Sequence, residues 1–158
     1  MKPGEITNIK KSKWALLGGK LVTRIVEDAD KGISQDPDGN KFPPYKKSYA
    51  DKKKAGKATP KGVSANRKVQ PANLRLTGEM LNSIKAQKPT NESVEINYRS
   101  GLKAQGNANP PKRLKKKRRN IIGLNDKNWE FAKDFIEKEI DGRIIKFYKK
   151  KIKFDINI

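Results

Sequence analysis

Apolar side chains gather in only a few places along this chain, and their spacing there limits what it can fold into. Trp14, Leu17, Leu21, Ile25 and Ala29 recur at intervals of three and four, with Leu16, Val22 and Val26 widening the stripe. That period predicts an amphipathic helix from about Thr7 or Ser12 to Lys31, interrupted weakly by Gly18-Gly19 and stopped by Gly32. A second stripe, Trp129, Ala132, Phe135, Ile136 and Ile140, predicts another helix. Asn125 or Asp126 would cap it and Asp141-Gly142 would end it. Ser93 to Tyr98 alternates apolar and polar residues, the pattern of a half-buried strand. Ile152, Phe154, Ile156 and Ile158 fall at every second position and predict a final strand.

Between these elements the chain is polar. Residues 34–70 read as a loop, opened by the turn cluster Asp36-Pro37-Asp38-Gly39-Asn40, with a short helix expected at Ser48 to Lys53. Thr77 is placed to cap a short helix ending at Ile84. Residues 99–119 form a second polar loop. The expected fold class is α+β, with two amphipathic helices packed on a small, mainly antiparallel sheet. One domain spans residues 1–158, with 34–70 and 99–119 as mobile or interface loops.

Composition decides which functions this scaffold can serve. The chain has 158 residues, of which 34% are hydrophobic and 35% charged, and a net charge of +21. A chain so polar buries little apolar surface alone, and its field calls for an anionic counterpart: nucleic acid, an acidic protein or an anionic membrane. There is no Cys and no His. Thiol nucleophiles, disulfides, thiolate metal sites and imidazole acid–base chemistry are therefore excluded. Asp36 and Asp38 lack the further oxygens and the terminal Glu of a calcium loop. Asp51, Glu79 and Glu95 are scattered without a nuclease pattern. No catalytic residue, metal or cofactor is expected. No apolar run reaches the length of a membrane span, and Met1 to Glu5 carries no apolar signal-type stretch, so a soluble, non-exported product is expected.

Two clusters of cations stand out. Lys112-Arg113-Leu114-Lys115-Lys116-Lys117-Arg118-Arg119 holds seven cations in eight positions, and no acid lies between Glu95 and Asp126. Such a run stays extended and solvated until a polyanion condenses on it, and DNA phosphate and an acidic protein are both candidates. The second cluster runs from Lys46 to Lys68, with Tyr45 and Tyr49 interspersed. Those tyrosines could stack on bases; anchoring the loop on a core or a neighbouring subunit is the favoured reading. Phe42, Tyr45, Tyr49, Lys112, Arg113, Lys115, Lys116, Lys117, Arg118 and Arg119 are accordingly the expected interface or polyanion-binding residues.

Three stretches also carry a resemblance. Asp38-Gly39-Asn40-Lys41-Phe42-Pro43-Pro44-Tyr45-Lys46-Lys47-Ser48-Tyr49-Ala50 resembles the G-x-x-(F/W)-x-P segment of virion morphogenesis proteins of tailed phages. Leu74-Arg75-Leu76-Thr77-Gly78-Glu79-Met80-Leu81-Asn82-Ser83-Ile84 is similar to that group's L-x-x-T-G segment. Arg119-Asn120-Ile121-Ile122-Gly123-Leu124-Asn125 resembles the R-x-F-(L/I)-G segment before its last helix. Together they cover about a fifth of the chain, in the family's order. The resemblance implies a structural role: a tail-completion or head–tail joining protein whose subunits form a ring, often hexameric, in the neck of the virion. Neighbouring neck and tail proteins, and packaged DNA, would be the partners. A basic protein contacting nucleic-acid phosphates without sequence reading is the alternative.

Overall fold

The computed structural model describes residues 8–61, 63–64, 66–73, 79–98 and 119–155. Helix α1 spans Lys11–Asp30 and buries Leu17, Gly18, Leu21, Ile25 and Ala29 on one face. Its first turn has no side-chain cap at Lys10. Instead the Lys11 amide donates to Asn91 Oδ1, reached from a distant loop at 3.1 Å. At the other end Gly32, at φ +72°, closes the helix. The Gly32 amide donates to the Ala29 carbonyl and the Ile33 amide to the Asp28 carbonyl. This pairing satisfies the last free carbonyls, as the stop signal at Gly32 required. Leu16, expected to widen the stripe, is instead exposed.

Beyond α1, helix α2 spans Lys47–Lys54 and helix α3 is the single turn Glu79–Asn82. Strands β1 (Ile84–Gln87) and β2 (Glu95–Tyr98) pair antiparallel, with Ile84 opposite Tyr98 and Ala86 opposite Ile96. β2 falls within the stretch its alternation predicted. β1 was not foreseen, and it takes Ile84, expected as the end of a helix. The hairpin lies on α1, and Gly18 is the reason it fits. A Cβ at Gly18 would stand 2.7 Å from both the Ala86 Cβ and a Val94 methyl. The glycine pair read as a weakness is thus, at Gly18, the seat of the sheet.

Helix α4 spans Asp126–Asp155, 30 residues or about 45 Å. Its length corrects two expectations. Asp141-Gly142 does not end it, because Gly142 keeps helical φ with open space around it, and a helical Gly costs only about 1 kcal/mol. The predicted final strand is contradicted at Ile152 and Phe154, which lie in α4; Ile156 and Ile158 fall outside the described residues. Ile144, Tyr148 and Ile152 recur every four residues, so the helical period was present beside the alternating one. Trp129, expected on the inner face, is 62% exposed. The inner face is instead led by Asn128 and continues through Ala132.

α1 and α4 run antiparallel, as three cross-contacts show. Lys13 Nζ bonds Glu139 at 2.8 Å, Lys20 sits over the Phe135 ring, and Arg24 sits over Phe131. Leu17, Leu21 and Ala132 pack between the two helices. A second cluster joins Ile25 and Ala29 to Phe42, Ala72, Leu81, Ile84 and Ile121. Ile96 and Leu124 touch both clusters and make the apolar interior continuous. Among the described residues the fold is α+β: four helices and a two-stranded antiparallel sheet, with α1 on the sheet.

Candidate interface site

The start of the 34–70 segment is not a free loop. Ile33 bridges Lys41, the Ser34 amide donates to the Asn40 carbonyl, and the Phe42 amide donates to the Gly32 carbonyl at 2.6 Å. At its tip the Gly39 amide donates to the Asp36 carbonyl, with Gly39 at φ +60°. This narrow turn is held by a buried polar network that centres on Asp28. Its Oδ2 accepts from Gln35 Nε2, Asn125 Nδ2 and Asn128 Nδ2 at 2.9, 3.1 and 2.9 Å. Asn125 Oδ1 caps α4 by accepting from the Asn128 amide. Asn128 Nδ2 also donates to Gln35 Oε1, while Arg24 Nε donates to Asn128 Oδ1 at 2.7 Å. Asn120 joins from the other side, its Nδ2 donating to Asp36 Oδ1 and its carbonyl accepting from the Gln35 amide. Every amide in this network has a partner, so it fixes one arrangement of α1, the turn and the start of α4.

Beside it, the first and third resembling stretches meet around one tyrosine. Arg119 Nη2 donates to the Pro43 and Pro44 carbonyls at 2.9 and 3.1 Å. The Arg119 guanidinium lies 4.9 Å from the Tyr45 ring centre, and the Lys53 ammonium 4.8 Å from the same ring. Tyr49 tilts against Tyr45 at 5.1 Å. Lys53 comes from α2 and is 0% exposed, its Nζ donating to Asn73 Oδ1 at 2.9 Å and to the Tyr45 hydroxyl at 3.4 Å. Among the described residues no carboxylate lies within ion-pair distance of Lys53 or Arg119. Arg119 Nε is buried with no acceptor among those residues.

The electrostatics follow from that geometry. Burial, reinforced by the neighbouring Arg119 charge, pulls the Lys53 ammonium from its ordinary 10.5 down to about 8. Burial likewise lowers Arg119. It pushes the Tyr45 phenol up to about 12, with the Tyr49 phenol adding to the rise, and Tyr49 is raised by its own burial. Both phenols therefore stay protonated near neutral pH. The surroundings are cationic: between Asp38 and Glu79 there are eleven Lys and Arg and one acid, Asp51. Lys46, Lys47, Lys52, Lys54, Lys57, Lys61, Arg67 and Lys68 are all exposed.

Of the residues expected at an interface, Tyr45, Tyr49 and Arg119 are brought together. Phe42 is buried in the core cluster with Ile25 and Ile121, which gives it a packing role within the chain. Lys112, Arg113, Lys115, Lys116, Lys117 and Arg118 lie outside the described residues, as do Thr77 and most of the 99–119 loop. Sequence reasoning counted Lys53 only as one more surface cation. It also missed Gln35, Asn120 and Asn128, whose signal is weak: Asn125 and Asn128 stand three apart at a helix start.

The three resembling stretches converge. Phe42 from the first, Leu81 and Ile84 from the second and Ile121 from the third share one core cluster. The Tyr98 hydroxyl donates to the Ile121 carbonyl at 2.7 Å and ties β2 to the third stretch. Among the described residues no three His, Cys, Asp or Glu side chains form a metal-binding group, and no described helix is long and apolar enough to cross a membrane. No family model, curated protein or solved structure matches this chain.

Proposed function

We propose that this chain is a non-enzymatic structural protein of a tailed-phage virion, one subunit of a homo-oligomeric ring, hexameric by resemblance, that joins head to tail. The observation that carries this reading is the convergence of the three resembling stretches. Although separated by up to about eighty residues, they meet through the Phe42–Leu81–Ile84–Ile121 cluster and the Arg119 contacts to Pro43 and Pro44. Their meeting in one core is what supports reading them as parts of a single motif set. The charge supports an assembled state: a +21 chain of this size repels itself and gains by neutralisation against neighbours.

A channel lined densely with Lys and Arg would grip phosphates and resist DNA transit. At least half of the basic surface therefore faces acidic neck or tail proteins, or the outside. Sedimentation and negative-stain imaging of the purified chain across a salt series test the reading, beside a gel shift on duplex DNA. Closed rings, with assembly responding to salt, support it. Tight duplex binding by a persistent monomer overturns it in favour of a non-specific nucleic-acid binder.

A further inference from the structure

Two cations share the Tyr45 ring, and the described protein offers neither a counter-ion. Lys53 is sealed under the ring and among the described residues reaches only neutral acceptors, Asn73 and the Tyr45 hydroxyl. Arg119 is held in place by two carbonyls, yet its Nε points at no acceptor among the described residues. A buried ammonium beside a half-buried guanidinium, with no anion among the described residues, is an unfavourable pair. Tyr49, 37% exposed, forms the solvent edge of the group. A third cation, the guanidinium of Arg67, lies flat against Gly56 at the end of α2, where an added Cβ would meet it at 3.0 Å.

We propose that the Tyr45–Tyr49–Lys53–Arg119 cluster is a carboxylate seat, the anchor point for an acidic segment of a partner protein. The nature of the partner rests on the assembly reading above; the seat itself rests on the missing counter-ion. An incoming Asp or Glu side chain would lie against Arg119 and the Tyr49 phenol at the exposed edge. There the low dielectric around the ring strengthens an ion pair. The buried Lys53 charge adds to the attraction through the ring without touching the ligand. The exposed lysines of α2 supply long-range steering toward the same acidic partner. Nucleic acid is the less fitting occupant. Its evenly spaced phosphates would be met by the exposed lysines, whereas a single half-buried guanidinium against the Tyr45 ring offers one site to one carboxylate.

The test compares binding of a ten-residue Glu-rich peptide and of a duplex oligonucleotide to the full chain at 0.15 M salt. Arg119→Lys keeps the charge and removes the guanidinium that the Pro43 and Pro44 carbonyls hold in place. It is expected to weaken the peptide at least tenfold and the duplex less than twofold. Tyr49→Phe, which leaves the fold's core untouched, is expected to weaken the peptide about threefold and serves if Arg119→Lys fails to fold. Equal losses for peptide and duplex would overturn the proposal, as would unchanged peptide affinity in either folded variant. Ring formation is read separately by sedimentation, so a chain that seats the peptide yet forms no ring sinks the assembly reading alone.

Discussion

Replacing Lys53 by Met keeps the length of a fully buried side chain and removes its charge. At neutral pH two effects oppose each other. Relief of the buried charge is worth about 3 kcal/mol for a shift from 10.5 to about 8. Loss of the bond to the buried Asn73 Oδ1 costs about 1–3 kcal/mol. The sign at pH 7 is therefore uninformative, but the pH dependence is not. The unfolded chain holds the Lys53 proton up to its ordinary value, while the folded chain releases it near 8. Between those values the unfolded state binds more protons, so stability rises as pH climbs through the window. The linkage relation gives a gain of about 2 kcal/mol between pH 7 and pH 9.5. Above pH 10 the buried Tyr45 and Tyr98 phenols, both pushed up to about 12, act in the opposite sense and stability falls. Urea unfolding of wild type and Lys53→Met, followed by tryptophan fluorescence at fixed ionic strength, reads the difference. Wild type should gain about 2 kcal/mol over the window relative to the variant; parallel profiles would refute the buried, unpaired ammonium.

Further outcomes follow from the same packing. Gly18→Ala should destabilise by about 1 kcal/mol or more, because overpacking against Ala86 and Val94 exceeds the helix gain. Gly19→Ala, with nothing within 4 Å, should stabilise by about 1 kcal/mol, and thermal melts of the pair separate the two. Asn128→Ala strips partners from Asp28, Gln35 and Arg24 and should cost about 3 kcal/mol in chemical denaturation. Tyr98→Phe removes the bond to the Ile121 carbonyl and should cost about 1 kcal/mol in the same assay.

How much of this was readable beforehand differs by element, for physical reasons. The α1 stripe was legible because Leu17, Leu21, Ile25 and Ala29 do what their spacing says, and Gly32 stops the helix by the mechanism its residue type suggests. β2 was legible from alternation. β1 was not, because Ile84-Lys85-Ala86-Gln87 is too short to show a period and its pairing with β2 is a tertiary choice. The end of α4 was misread because Gly was taken as a stop without the left-handed φ that a stop needs, and Trp129 because only apolar residues were counted toward the inner face. Asn128 took that face through bonds to α1 and the 33–41 turn, which no local pattern announces. At the candidate site Tyr45, Tyr49 and Arg119 were each singled out from sequence. Their meeting, and the burial of Lys53 beneath them, required the third dimension.

The most direct measurement is a particle map of a tailed virion that contains this chain. The account predicts rotationally repeated copies between head and tail, with the Tyr45–Arg119 face turned toward an acidic neighbour. Copies absent from that junction, or spread singly along nucleic acid, would contradict it.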